Sequence, residues 1–415
     1  MLRPFFMENT MITFKELENI GLQAVNQWYT RYMTTELKNQ DKVLQAFRRN
    51  RVNYQDFQLT SGYGMGDTGR DKLERIYSEI FHAEDSLIRQ QIVSGTHSIT
   101  LALFAMLLPG DHMVIYGDPY DTLFKVLGTS KEDVGSLTEL GITYQIHPFG
   151  EKNTLKDTIR EDTKVFYIQR SKGYSYRNAL TIDEIAELSQ IAKRINPDIT
   201  VFVDNCYGEF CEDREPLEVG ADLIAGSLIK NPGGAIAPSG GYLAGREDLI
   251  ERASYRLTAP GIGKEVGPSL ISNSSLYQGI FQAPHVVAEA LKGSVYMSAV
   301  LAELGYEILP KLNEPRSDIV ELICFRDPEK LKSFCQGIQK YSPVDSHVLP
   351  EAWDMPGYEH QVIMASGGFV EGSSIELSAD GPMREPYIGY VQGGTSFPYV
   401  KLVMDHILQE EWDIH

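Results

Sequence analysis

The chain has 415 residues, and its 38 lysines and arginines against 57 aspartates and glutamates leave a net charge of −19. That length predicts two or three domains, and 42% hydrophobic with 23% charged residues is ordinary for a globular protein. The acidity excludes nucleic acid as a partner, because phosphate binding needs a basic face, and it predicts a well-solvated surface.

The opening stretch, Met1-Leu2-Arg3-Pro4-Phe5-Phe6-Met7-Glu8, lacks the long apolar run of a signal peptide, and no segment reaches the roughly 18 apolar residues of a membrane span. A cytoplasmic protein is the expectation. Helical periodicity follows over about 13–50, with Leu17, Ile20, Val25, Trp28, Val43, Leu44 and Phe47, and predicts an N-terminal helical arm over 1–60. A glycine-rich loop occupies 61–69 and leads into a helix from about Asp71 to Phe81. Strands and helices then alternate: strand 87–93, helix 97–108, strand 112–116, helix 119–127, strand 143–146, helix 154–160, strand 164–168, helix 181–194, and strands 199–203 and 222–226. Alternating β and α segments predict an α/β fold with a mostly parallel sheet covered by helices on both faces. The pattern changes after Gly240-Gly241-Tyr242-Leu243-Ala244-Gly245. A long helix from about Ala283 to Leu304 and strand-like pieces near 319–325 and 361–364 predict a smaller α/β domain over 290–415, after a large domain over 61–289.

Two residues carry the chemistry. Val201-Phe202-Val203 is an apolar strand ending at Asp204, and a second apolar stretch leads to Ser227 and Lys230 in Gly226-Ser227-Leu228-Ile229-Lys230-Asn231-Pro232-Gly233-Gly234. Pyridoxal phosphate needs such a pair. A lysine amine holds the cofactor aldehyde as a Schiff base, and a carboxylate keeps the pyridine nitrogen protonated. In open α/β sheets ligands sit beyond the carboxyl ends of the strands, where Asp204 is expected. A turn-forming Asp and a snorkelling surface Lys are the bland alternatives for each residue alone.

Ser94-Gly95-Thr96-His97-Ser98 opens a helix after a strand, so its free N–H groups suit either a phosphate or ordinary capping. Tyr120, just after a strand, can stack on a pyridine ring or act as an acid or base; Tyr116 is a competing candidate better suited to the core. Gly64-x-Gly66-x-x-Gly69 matches the dinucleotide fingerprint only as a string, because no strand precedes it. His97, His112 and His285 lack metal-ligand spacing, so no metal is expected. Cys206, Cys211, Cys324 and Cys335 form no C-x-x-C, and Cys206 and Cys211 read as small packing residues.

Taken together, Gly62–Arg70, Ser94–His97, Val203–Phe210, Gly226–Gly234 and Ser378–Tyr387 resemble the fold-type I pyridoxal phosphate enzymes of Cys/Met metabolism, which include cystathionine β- and γ-lyases and methionine γ-lyase. The likeness is greatest to the methionine γ-lyase-like branch labelled "aluminium resistance protein", and it covers nearly the whole chain. It implies a large domain with a seven-stranded-type sheet and a smaller C-terminal domain. It implies Lys230 as the Schiff-base lysine and proton carrier, Asp204 as the pyridinium partner, and Tyr120 as the stacking tyrosine. Gly95, Thr96 and Ser227 become the phosphate cradle. Tyr63 and Arg70 become phosphate ligands reaching in from a neighbouring subunit, with spacing that departs from the lyase pattern. Arg384 becomes the group that grips the substrate carboxylate. A homodimer or homotetramer with intersubunit sites is implied as well.

The expected function is a pyridoxal-phosphate-dependent carbon–sulfur lyase that eliminates a thiol from a sulfur amino acid, giving a 2-oxo acid and ammonia. An aminotransferase or an aldolase-type enzyme uses the same lysine, aspartate and cradle. A non-catalytic protein of this fold is a further reading, and a dinucleotide oxidoreductase is a fourth, against which the missing strand before the glycine string counts.

Overall fold

The computed structural model describes residues 12–130 and 133–415, and the opening octapeptide lies outside them. The main sheet contains β1 (Asp85–Arg89), β2 (His112–Tyr116), β3 (Thr143–His147), β4 (Thr163–Gln169), β5 (Thr200–Asp204), β6 (Leu223–Ser227) and β7 (Gly241–Gly245), in the spatial order β1-β7-β6-β5-β4-β2-β3. Only β7 runs against its neighbours. Helices α1 (Phe14–Arg49), α2 (Thr68–Phe81), α3 (Gly95–Met106), α4 (Asp121–Leu127), α5 (Ile182–Ile195), α6 (Glu247–Leu257) and α7 (Asn273–Glu303) accompany it.

Side-chain alternation along the strands explains why both faces are covered. In β5, Val201 and Val203 join Ile185, Leu188 and Ala192 of α5 in one core cluster. Phe202 points the other way, into a cluster with Ile99 and Leu103 of α3 and Ile250 of α6. A strand apolar at every position must be buried on both faces, and only crossover helices supply that cover in a parallel sheet. Each of these buried Val, Leu, Ile and Phe side chains stabilises the fold by about 1.5–3 kcal/mol before chain entropy is counted.

The second sheet is antiparallel. It contains β8 (Glu307–Leu309), β9 (Val320–Cys324), β10 (Val362–Ser366), β11 (Ser378–Pro382) and β12 (Ile388–Gln392), in the order β10-β11-β12-β9-β8. Helices α8 (Pro328–Lys340) and α9 (Phe397–His406) complete this unit. We propose that the division between domains falls inside α7, at the limits read from the sequence.

Several elements differ from expectation for identifiable reasons. The helix α7 starts at Asn273, capped by Ser272, and runs through Pro284. Proline inside a helix removes one backbone hydrogen bond, and α7 continues through it here. The segment read as helix 154–160 is a 3-10 turn over Lys152–Asp157. The first strand ends at Arg89, short of 93, and α3 begins at Gly95, which puts Gly95 and Thr96 in its first turn. Strand β7 and helix α6 were not expected. The residues before the glycine-rich loop form a 3-10 turn over Tyr54–Phe57 with no strand, so the dinucleotide context is absent. Among the described residues no helix is long and apolar enough to cross a membrane.

A buried ion pair ties the two sheets together. Lys172, just beyond β4, places Nζ 2.8 Å from Asp318 Oδ1 and donates to the carbonyl of Val320, the first residue of β9. Ser171 Oγ donates to the other Asp318 oxygen at 2.8 Å. Both charged side chains are fully buried. Removing one partner leaves an uncompensated charge in the interior. Asp318→Ala is therefore expected to lower unfolding stability by about 3 kcal/mol or more, measured as a shift of the urea midpoint.

Candidate active site

Beyond the carboxyl edge of the main sheet, facing the small sheet, lies a cleft of ≈ 970 Å³. The sheet register prepares it. Gln169 pairs with Asp204, and Asp204 with Ala225, so β4 and β5 end level while β6 runs on to Ser227. Gln169, Asp204 and Ser227 then open onto the same space, together with Lys230.

The first turn of α3 enters the cleft from the side. Ser94 caps it by accepting from the His97 N–H at 3.1 Å. The Gly95 and Thr96 N–H groups have no acceptor among the described residues and carry the positive end of the helix dipole. A Cβ at Gly95 would stand 3.2 Å from Cys206 Sγ, 3.4 Å from Ser227 Cβ and 3.8 Å from Lys230 Nζ. Glycine therefore keeps this corner open. Ser227 Oγ accepts from the Ile229 N–H at 3.3 Å, which leaves its own proton free to donate.

Lys230 is half-buried, and its Nζ lies 3.9 Å from the centroid of the Tyr207 ring. Burial alone would depress the ammonium, but the acidic groups around it, the Asp204 carboxylate among them, outweigh it and hold Lys230 above the usual lysine range. Burial pushes the Asp204 carboxyl up, while Lys230 and the Cys206 N–H, 3.1 Å from Oδ1, oppose the rise. Tyr167 OH approaches Oδ2 at 3.4 Å. Among the described residues Asp204 forms no ion pair, so a buried carboxylate stands at the back of the cleft without a cation of its own.

Tyr120 lies across the cleft. Its hydroxyl donates to Thr96 Oγ1 at 3.0 Å, its N–H donates to Gln169 Oε1 at 2.9 Å, and burial holds its phenol protonated. Tyr116 is a core residue whose hydroxyl accepts from the Gly150 N–H at 3.0 Å. Burial likewise keeps the Cys206 and Cys211 thiols protonated.

Three expected site residues are placed elsewhere. Tyr63 is 78% exposed on the glycine-rich loop. Arg70 is buried, with Nη1 donating to the carbonyls of Gly64 and Gly267 at 3.1 and 2.7 Å and the rest of the fork against Asp71. Arg384 reaches the Tyr174 carbonyl at 3.4 Å and does not line the cleft. Conversely, Tyr207, Tyr174 and Asp380 line it without having been singled out. Tyr207 follows Asp204 by three residues, but its ring reaches Lys230 only because the backbone turns left-handed there, at φ 71°.

A pyridine ring carrying a phosphate fits these residues. Asp204 lacks a cation, which a protonated ring nitrogen supplies. The open N–H groups of Gly95 and Thr96 and the Ser227 hydroxyl suit the phosphate, and Lys230 suits an aldehyde. Among the described residues no group of three His, Cys, Asp or Glu side chains is placed to hold a metal ion.

Comparison with known proteins points the same way. The family profile described as methionine gamma-lyase matches residues 14–412. A Listeria monocytogenes structure, provisionally named a cystathionine beta-lyase involved in aluminum resistance, is 46% identical, with a TM-score of 0.93 over 95% of this chain and 99% of that one. A Clostridium novyi structure named as a carbon-sulfur lyase involved in aluminum resistance is 46% identical, with a TM-score of 0.91 over 96% of each chain. The pyridoxal-5'-phosphate dependent protein YhfS from Escherichia coli, at 15% identity and a TM-score of 0.60 over 97% of this chain and 99% of that one, shows the fold alone. The architecture is fold type I, as the motifs implied. These likenesses indicate a carbon–sulfur lyase and imply pyridoxal phosphate.

Two outcomes test the geometry. Gly95→Val should fill the corner between Ser227 and Lys230 and reduce cofactor retention by about tenfold or more, as a lost charge-assisted contact does, measured as pyridoxal phosphate released per chain on denaturation. Glu209, buried beneath the site, accepts from Tyr242 OH at 2.7 Å through Oε1, while Oε2 has no partner. Burial pushes its carboxyl up to about 8. A carboxyl raised on folding contributes stability below its unfolded pKa of 4.5, and that contribution is lost as pH rises through about 8. Glu209→Gln should remove this loss, so that the variant gains on the wild type by on the order of 2 kcal/mol or more between about pH 5 and 9, read from urea midpoints.

Proposed function

The chain belongs to the methionine gamma-lyase family, and on that premise we propose that it eliminates a thiol from a sulfur amino acid, by cystathionine beta-lyase-like chemistry, to give a 2-oxo acid and ammonia. The observation that carries this reading is the meeting of Lys230, Asp204 and the open Gly95 corner in one cleft. When bound, pyridoxal phosphate supplies an aldehyde for an amine and an electron sink for the bonds broken at the substrate's carbons.

The protein's residues do the rest. Asp204 holds a positive charge on the ring nitrogen, and the low polarity around it strengthens that pairing. The Gly95 and Thr96 N–H groups and the Ser227 hydroxyl take the phosphate. Tyr120, fixed at its N–H by Gln169 and at its hydroxyl by Thr96, offers a ring face for stacking. The Lys230 amine takes the proton from the substrate α-carbon and returns it where the reaction needs it, and the Tyr207 ring limits how far Nζ can wander. Arg384 stands behind the lining, with Nη2 at the carbonyl of Tyr174, and from that edge of the cleft it is our candidate for the substrate carboxylate.

A second copy of the chain would complete the site. Leu59, Tyr63, Met65 and Leu270 are exposed apolar residues on two loops joined by the Thr60 N–H to Ser269 carbonyl bond. Such a patch favours burial against another subunit. In this proposal Tyr63 reaches into a partner's cleft from there, and Arg70 shapes the loop that carries it. A homodimer, or a tetramer built from it, is our proposal.

The test is direct. Purified protein incubated with pyridoxal phosphate should absorb in the visible range, and the band should change on adding L-cystathionine, L-cysteine or L-methionine. Pyruvate with released thiol identifies β-elimination, 2-oxobutyrate identifies γ-elimination, and a pyridoxamine product without thiol would reject the lyase. Lys230→Ala should lose the band and reduce turnover by at least about a thousandfold; unchanged absorbance and activity would sink the scheme.

A further inference from the structure

Lys230 and Asp204 open onto one cleft, yet they do not pair. Among the described residues the Lys230 ammonium has no hydrogen-bond acceptor and no ion pair. Its partner is the face of the Tyr207 ring, with Nζ 3.9 Å from the ring centroid. The negative face of an aromatic ring attracts a cation, and the attraction grows as water is excluded.

The ring is put there against the preference of its own backbone. Tyr207 has φ 71°, in the left-handed region, where a bulky side chain is an outlier and glycine or asparagine is cheaper. Such strain persists only where the surroundings over-determine it. Arg170, fully buried, donates through Nη1 to Asn205 Oδ1 at 2.8 Å and through Nη2 to Glu212 Oε1 at 3.1 Å, which clamps the turn from below. Gly208 lies directly on that side chain, since a Cβ there would stand 2.5 Å from Arg170 Cδ. The Tyr207 carbonyl accepts from the Ile319 N–H at 3.2 Å, just ahead of β9. The Tyr207 side chain packs both on the main core and on the cluster of Val320, Leu322 and Tyr390 in the second sheet. Both sheets therefore hold one strained tyrosine against the lysine.

Charge gives that arrangement a use. Left unrestrained, an ammonium and a carboxylate in one cleft close on each other. A contact pair would neutralise Asp204 where the ring nitrogen is expected and would engage the amine needed at the aldehyde. The tyrosine face gives Lys230 a seat with no counter-charge. The other titratable groups that face Lys230 are Cys206 beside Asp204, Tyr120 before α4, Glu209 beneath the site, Asp380 on β11 and Tyr358. Among the described residues none of these carboxylates forms an ion pair with it.

We infer that Tyr207 is a positioning residue for Lys230, whose ring face seats the protonated Nζ over the cleft and holds it off Asp204. The ring works whenever Nζ is positively charged, whether as the free ammonium or as the protonated nitrogen joined to the cofactor. The inference rests on the cofactor reading of Lys230 and Asp204, and it adds the residue that keeps the two apart.

The test separates ring from bulk. Tyr207→Phe keeps the ring and loses the hydroxyl, whereas Tyr207→Leu and Tyr207→Met fill the space without a ring. All three keep a side chain on the left-handed backbone, so the strain is common to them. The pyridoxal-phosphate-loaded proteins are titrated with base, and the loss of the proton on the Lys230 nitrogen is followed as the visible band gives way to one at shorter wavelength. Tyr207→Phe should keep the wild-type midpoint. Tyr207→Leu and Tyr207→Met should lower it by about one pH unit, a tenfold change in the protonation equilibrium. The cofactor-free forms of these two should also bind pyridoxal phosphate about tenfold more weakly, because Lys230 and Asp204 can then pair. A midpoint or an affinity that neither changes, a raised midpoint, or a Tyr207→Phe shift as large as that of Tyr207→Leu would overturn the inference and leave the lyase reading standing. Should Tyr207→Leu fail to fold, Tyr207→Met decides. A wild type with no visible band would reject the cofactor reading and this inference with it. The expected shifts without thiol release from any sulfur amino acid would support the seat and reject the lyase.

Discussion

A buried carboxylate without a cation is the constraint around which this molecule is organised. Asp204 ends a strand that is apolar on both faces, so its side chain emerges at the carboxyl edge with nothing nearer than a peptide N–H and a tyrosine hydroxyl to satisfy it. An isolated buried charge is expensive, and the interior keeps one only where something else neutralises it. The surroundings are arranged accordingly. Gly95 leaves out a side chain, Ser227 keeps a proton free, and Lys230 is held over a tyrosine ring in the same space.

The small domain supplies the opposite half of the site rather than a mere lid. Its attachment through Lys172 and Asp318 lies next to Ser171, which lines the cleft, so the strut that joins the two sheets also sets the width of the gap between them.

Much of the cleft was legible in the sequence because the relevant residues sit next to strong local signals. Asp204 follows three apolar β-formers, and Ser94, Gly95 and Thr96 follow a strand and open a helix. Ser227 and Lys230 lie between the end of another strand and a glycine-rich turn. The family resemblance carried by these segments is the family the chain belongs to. The strand β7 escaped because Gly240-Gly241-Tyr242-Leu243-Ala244-Gly245 is poor in β-formers, and it is held by pairing with two neighbours instead of by propensity. Helix α7 was read short at its start, and its first turns from Asn273 are held by packing that no local signal announces.

By itself the sequence determined the strand and helix alternation, the covered parallel sheet, and the identity of the lysine, aspartate and glycine that face one another, since each depends on periodicity or on neighbours a few residues away. Tertiary structure decided what no local pattern encodes. Tyr207 reaches Lys230 through a left-handed residue, and Arg70 is tied to Gly267, nearly two hundred positions away. Asp380 and Gln392 meet Lys230 only because a second sheet docks against the first. The physical reason is range: hydrophobic period and capping act within a turn or two, whereas charge balance in a cleft is set by whichever distant segments the packing brings together.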